Sequence, residues 1–324
     1  MTAKRLLLRL LAVIAITGAV YLLYRSFSQY TWSEVRESVR QIPVHRLFAS
    51  IGFAAASYIC LSGFDTLALI YVGKPLAYRR TLLASFTSLS IGHNVGVSAM
   101  SSGAVRYRFY SRWGLTAADV GKLILFCGMT VALGLLSLAG LLLALQPGVA
   151  GDLLGIGRAA SVAVSIGCLA VPVIYLVTAA LFKKPFKLWK WTVAPPGLRL
   201  ALAQVAVGTL NFTCVAACLN QLLAAFTEAG YLKVATAYVT ANITAIVSHV
   251  PGGLGVLEAT VLYILPGATS IGALLAFRVV YFFLPLAIGL PLFLGSEAIV
   301  RAQNKKASQR SEVTDPNRLS ISRS

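Results

Sequence analysis

Ser90-Ile-Gly-His-Asn-Val-Gly96 and Ser248-His-Val-Pro-Gly-Gly-Leu-Gly-Val-Leu-Glu258 interrupt two otherwise apolar stretches of this chain. Glycine and proline free backbone groups that lipid cannot satisfy. Such breaks persist at membrane depth where they are buried in protein or line a wet cavity. Paired breaks in the two halves of a chain point to a transport site. Their surroundings show that membrane depth is the right setting. Hydrophobic residues make up 58% of the 324 and charged residues 12%, about half the charge of an ordinary soluble domain. The mean hydropathy is +0.80. A net charge of +18 would suggest nucleic acid in a soluble protein. Here the Lys and Arg sit in short loops and tails, where the positive-inside rule puts them, and nucleic acid is excluded as a partner.

Apolar stretches of spanning length run over 6–26, 47–72, 119–145, 158–182, 199–224 and 270–299, each long enough for the ~20 residues a transmembrane helix needs. The first ends at Tyr24-Arg25 without a small-residue cleavage site, so it reads as a helix rather than a signal peptide. Basic residues at Lys4 to Arg9, Lys74 to Arg80, Lys183 to Lys190 and Arg301 to Arg310 put those segments, and both termini, in the cytoplasm. With these sides assigned, 81–118 must begin and end inside and 233–269 must begin and end outside.

The expected fold is an all-α polytopic membrane protein of six full transmembrane helices plus two opposed re-entrant or broken-helix hairpins. An offset of about 155 residues pairs Thr81 with Thr236, Asn94 with His249 and Gly96 with Pro251, which suggests an inverted repeat of the transporter kind. Residues 1–300 form the integral membrane domain. Residues 301–324, polar and basic, are predicted to be a disordered cytoplasmic tail. The chain is expected in the bacterial inner membrane.

Charge inside a membrane span is the next signal. An ionised side chain at the centre of a membrane helix costs about 2.5–3.5 kcal/mol on insertion scales, so Asp65, Glu258 and Arg278 need partners or water. Glu258 and Arg278 can form a structural ion pair or share an anion site. Asp65 can receive a cationic group or counter an arginine. Arg106 and Arg108 flank Tyr107 just after Gly103. In an extended segment their guanidiniums share one side, whereas on a helix they lie 200° apart. Arginine suits phosphate because its planar fork bonds two oxygens at once. The competing reading is a basic loop, Arg112 included, that snorkels to the headgroups. His93, Asn94, Asn242 and His249 are candidate hydrogen-bonding lining of a cavity. Gly92, Gly96, Gly103, Pro251, Gly252, Gly253 and Gly255 are the candidate hinge and break positions.

Enzyme signatures are missing: no GxSxG, HExxH, Walker A lysine or GxGxxG before a helix is found. The five cysteines form no CxxC pair, so neither a disulfide framework nor a metal site is signalled. No catalytic residue and no cofactor is expected.

The motifs Ser-x-Gly-His-Asn-x-Gly, Gly-Ala-Val-Arg-Tyr-Arg-Phe-Tyr and Pro-Gly-Gly-Leu-Gly-Val-Leu-Glu resemble those of the lysylphosphatidylglycerol synthase/flippase transmembrane-domain family. This is the membrane half of the multiple peptide resistance factor, and the resemblance covers about 5–300. It implies translocation of phospholipids between leaflets, anionic or aminoacylated ones above all. The soluble aminoacyl-transfer domain of that factor has no counterpart here, so the implied function is transport without synthesis. The expected partners are membrane phospholipids, a second copy of the chain, and a separate lipid-synthesising enzyme. A secondary transporter of small anions and an intramembrane lipid-modifying enzyme are the alternatives.

Overall fold

The computed structural model of the chain describes residues 32–94, 98–182, 186–188, 191–193, 195–248, 255–265 and 271–313. The first apolar run (6–26), Gly96, His249, Pro251, Gly252 and Gly253 lie outside the described residues.

In chain order the helices are α1 (Trp32–Arg40), α2 (Val44–Tyr71), α3 (Tyr78–Gly92) and α4 (Ser98–Tyr110), then α5 (Ala117–Leu145), α6 (Pro147–Leu154) and α7 (Arg158–Leu181). A small antiparallel ribbon follows, β1 (Phe186–Leu188) against β2 (Trp191–Val193). The rest comprises α8 (Leu198–Leu223), α9 (Tyr231–Ser248), α10 (Val256–Ile264), α11 (Ile271–Arg278), a π-helical turn (Val279–Phe283) and α12 (Leu284–Val313). Among the described residues, five segments are long and apolar enough to cross a bilayer: Val44–Tyr71, Ala117–Leu145, Arg158–Leu181, Leu198–Leu223 and Gly272–Gln303. The chain is a multi-pass α-helical membrane protein. The five coincide with five of the spans read from hydropathy, and between them stand the two helical hairpins, α3–α4 and α9–α10.

Association of helices in lipid relies on close packing and buried hydrogen bonds rather than on apolar burial, and the α5–α8 crossing shows both. A Cβ added at Gly134 would lie 2.3 Å from the backbone carbon of Gly208, and one at Gly208 would lie 2.7 Å from the Thr130 carbonyl oxygen. Backbone meets backbone there. Next to it, buried Gln204 of α8 donates to Thr130 Oγ1 (2.8 Å) and the Phe126 carbonyl (3.2 Å), and accepts from Tyr175 of α7. One amide thus joins three spans. Outward-facing Val162, Ile166, Val173, Ile174 and Leu181 leave α7 at the periphery.

The start of α5 is fixed by a capping box. Thr116 Oγ1 accepts from the Asp119 amide (3.2 Å) while Asp119 Oδ2 accepts from the Thr116 amide (2.9 Å). Two of the orphan donors of a helix start are thereby satisfied. Lys74 Nζ adds a bond to Asp119 (2.9 Å) and another to the Gly114 carbonyl (2.9 Å). These tie the turn after α2 to the turn after the first hairpin.

Two expectations are corrected. Gly103 is no hinge: α4 runs through it. Its missing side chain instead lets α4 approach α5, where a Cβ would meet Ile124 Cδ1 at 3.0 Å. Likewise, the tail does not lose structure at residue 301. Helix α12 continues to Val313, because Arg301 to Arg310 is rich in Arg, Ala, Gln and Lys, good helix formers, and lacks Gly and Pro.

Candidate functional site

Among the described residues, four polar clusters involve the charged or hydrogen-bonding residues singled out from the sequence. The deepest joins α2, α4 and α5. Asp65, with no exposed surface, accepts from Arg106 Nε (3.0 Å) and Nη2 (2.9 Å) in a two-point contact. Tyr110 Oη donates to the same carboxylate at 2.7 Å, and Cys127 Sγ lies 3.5 Å from its other oxygen. Arg106 also reaches Ser102 Oγ at 3.2 Å. The carboxylate is therefore surrounded by donors, and Arg106 is 5% exposed. Of the two roles open to Asp65, the structure selects the counter-ion to an arginine. Arg106, expected to hold a phosphate beside Arg108, is committed to Asp65.

Helical geometry is the reason. Once α4 forms, Arg106 and Arg108 point in different directions, and Arg108 turns to α12. It donates from Nε to Glu297 Oε1 (3.0 Å) and from Nη2 to Oε2 (2.8 Å), and Arg112 bonds the same carboxylate. The α12 residues that meet the first hairpin recur every four positions. A Cβ at Gly289 would lie 1.9 Å from Ser90 Oγ, and Phe293 packs edge-on to Phe109 with centroids 6.1 Å apart. Glu297 then completes the face. Spacing by four keeps all three on one side of a helix.

The third cluster belongs to the second hairpin. Gly255 has φ +79°, the left-handed conformation that favours glycine, and there it turns the chain into α10. Glu258 Oε2 accepts from the Gly255 amide at 3.1 Å, and its other oxygen accepts from Arg278 Nε. Arg278 also lies over the Phe282 ring, 5.8 Å from its centre. The Glu258–Arg278 ion pair read from the sequence is present, and it holds α10 to the end of α11.

Immediately after Arg278 comes the π-helical turn. A wider turn moves carbonyls out of the regular ladder, so they take other donors. The Tyr281 carbonyl accepts from Tyr58 Oη (3.3 Å) and the Phe282 carbonyl from Asn94 Nδ2 (3.2 Å). His93 stacks on Tyr281 with centroids 6.2 Å apart and meets Phe282 edge-on at 6.2 Å. Tyr281 Oη lies 2.9 Å from Ser57 Oγ, which donates to Asn211 Oδ1 at 2.7 Å. Residues of α2, of the turn after α3, and of α8 thus converge on the π turn, inside the bundle. Among the described residues, buried His93 Nδ1 has no hydrogen-bond partner there.

Of the expected lining residues, the structure brings His93 and Asn94 to this cluster and leaves Asn242 apart, bonded back to the Tyr238 carbonyl of its own helix (3.1 Å). Gly92 closes α3 one residue before His93. His249 falls outside the described residues. Sequence reading missed Ser57, Tyr58, Asn211, Tyr281 and Glu297. A signal existed for Asn211, an amide inside an apolar span, and for Glu297, an acid near the end of one. Tyr281 carried none, since the π turn that defines its role has no evident sequence mark.

The chain matches no protein-family model. It is 31% identical over 290 residues to an uncharacterized protein, slr0712, of Synechocystis sp. (strain ATCC 27184 / PCC 6803 / Kazusa), covering 87% of this chain and 90% of that one. It is 29% identical over 315 residues to the inner membrane protein YbhN of Escherichia coli (strain K12), covering 95% and 96%. The chain belongs to the family of the Synechocystis protein, along nearly its whole length.

Proposed function

We propose that this protein moves phospholipids between the leaflets of the bacterial inner membrane. One observation carries the reading: a single stretch, Arg278 to Phe282, is contacted by both interrupted hairpins. Glu258 of the second reaches Arg278, and His93 and Asn94 at the break of the first reach Tyr281 and Phe282. Hydrogen-bonding groups so placed within a membrane bundle can solvate a polar headgroup while its acyl chains remain in lipid. The π turn fits this role, because such turns occur often at functional sites.

The motif resemblance to the lysylphosphatidylglycerol flippase domains supports the same reading and favours anionic or aminoacylated phospholipid as cargo. The similarity to an inner membrane protein of Escherichia coli favours the inner membrane. In this scheme Ser57, His93, Asn94, Asn211 and Tyr281 offer hydrogen bonds, and Arg278 offers charge balanced by Glu258. Arg106 and Asp65 hold the scaffold. We assign no catalytic residue and no cofactor.

Reconstitution into liposomes tests the proposal. Headgroup-labelled phosphatidylglycerol, phosphatidylethanolamine and phosphatidylcholine are followed between leaflets with a membrane-impermeant quencher. Exchange above that of protein-free liposomes is expected for at least the anionic lipid, slowed by Tyr281→Phe and by His93→Ala. Exchange no faster than in protein-free liposomes for every headgroup sinks the proposal.

A further inference from the structure

We infer that Arg108 and Arg112, with Arg80 and Trp113 beside them, form a membrane-surface site for the phosphodiester of an anionic phospholipid, and that Glu297 occupies this site when lipid is absent. The geometry around Glu297 carries the inference. A phosphodiester offers two non-bridging oxygens, and the fork of Arg108 already grips two carboxylate oxygens in that manner. Arg112 supplies a second guanidinium to one of them. Two positive charges meet one negative charge, so the cluster retains an excess that an anion can satisfy. Arg80 adds to it, with its guanidinium carbon 5.8 Å from the centre of the Trp113 ring.

Exposure separates this cluster from the pair at Asp65. The Arg108 side chain is 59% exposed although its partner carboxylate is 10% exposed, so a ligand can reach the guanidinium from outside. Trp113 lies against Phe109, with ring centroids 5.9 Å apart, and Tyr107, next to Arg108 in the chain, is exposed. Tyrosine and tryptophan favour the headgroup level of a bilayer. Phe109 and Phe293 form the floor beneath. A lipid, rather than free phosphate, is the occupant that exposed Tyr107 and half-buried Trp113 favour, since these rings can meet its glycerol and upper acyl carbons, which free phosphate lacks.

When a phosphate takes Arg108, Glu297 loses its two-point partner and the contact between the first hairpin and α12 loosens. As an intramolecular competitor, Glu297 lowers apparent lipid affinity in proportion to the time it occupies the fork. The site deepens the transport reading as a loading point for headgroups, and it rests on that reading for its place in a cycle. Binding itself is measured without transport.

The test uses the full chain with Trp32→Phe, Trp189→Phe and Trp191→Phe, which leaves Trp113 as the only tryptophan. Reconstituted in phosphatidylcholine vesicles, Trp113 is titrated with brominated phosphatidylglycerol or brominated phosphatidylcholine. Quenching should favour phosphatidylglycerol. Arg108→Ala should weaken that preference about tenfold and Arg108→Lys by less, since lysine keeps the charge and loses the fork. Glu297→Gln should strengthen it about threefold or more. Equal quenching by the two lipids, or an unchanged preference in both Arg108→Ala and Glu297→Gln, overturns the inference. Displacement by millimolar inorganic phosphate as complete as that by excess unlabelled phosphatidylglycerol overturns the assignment to lipid. Preferential quenching without leaflet exchange would remove the transport reading and keep the site. Leaflet exchange without preferential quenching would do the reverse.

Discussion

Arg106 and Arg108 lie on the same helix with one residue between them, and their surroundings give them opposite capacities. Arg106 is enclosed in a cluster with Asp65, Tyr110, Ser102 and Cys127, side chains drawn from three helices. Arg108 lies open to the surroundings and shares Glu297 with Arg112. A charge sealed with its counter-ion is costly to separate, because either ion left alone keeps its desolvation penalty. A pair with one partner open to solvent is held less firmly, because the exposed ion is solvated when it leaves. The first arrangement suits a permanent joint and the second suits exchange. Glu258–Arg278 stands between them, partly buried and linked on one side to the glycine turn of the second hairpin.

Breaking the enclosed pair should have the largest effect. Asp65→Ala leaves Arg106 buried without its anion, and a loss of about 3–5 kcal/mol is expected. Thermal unfolding in detergent and the yield of monodisperse protein measure it. Parent-like stability would remove the distinction between the two arginines at a stroke. Tyr110→Phe probes the same joint more gently. It deletes one charge-assisted hydrogen bond to Asp65 and should cost about 1.5–3 kcal/mol, read by the same melting curves.

The intermediate pair is sharpened by a double-mutant cycle. Glu258→Gln should lower stability by about 1–3 kcal/mol, and adding Arg278→Gln should recover part of the loss. Strictly additive losses would mean that the two side chains act independently. The smallest effect belongs to the open pair. Arg108→Ala should change the melting behaviour by about 1 kcal/mol or less. Its consequence should appear in lipid binding instead. Destabilisation by Arg108→Ala equal to that of Asp65→Ala would make both pairs structural joints.

The long apolar runs made five spans legible, since ~20 apolar residues in a row have few other uses. Glycine and proline marked where α3 and α9 stop. The Glu258–Arg278 pair was also legible, because two opposite charges at membrane depth have strong reason to meet. The Asp65–Arg106 pair was not, although both residues stood out. Choosing between a phosphate and Asp65 as the partner of Arg106 required knowing that the Arg106 side chain of α4 reaches Asp65 of α2, which no local pattern expresses. Gly103 was misread for a similar reason: a glycine that permits a turn and one that permits close packing look alike in sequence.

Sequence alone thus determined that the chain spans a membrane by helices, where the two interruptions fall, and which buried charges need partners. Its means were solvent preference and backbone chemistry, which act residue by residue. Tertiary structure decided which partner each charge has, that Ser57, Asn211, His93 and Asn94 gather around a π turn at Tyr281, and that Arg106 is sealed while Arg108 is open. Those outcomes depend on distances between segments as far apart as residues 57 and 281, and such distances arise when the helices pack.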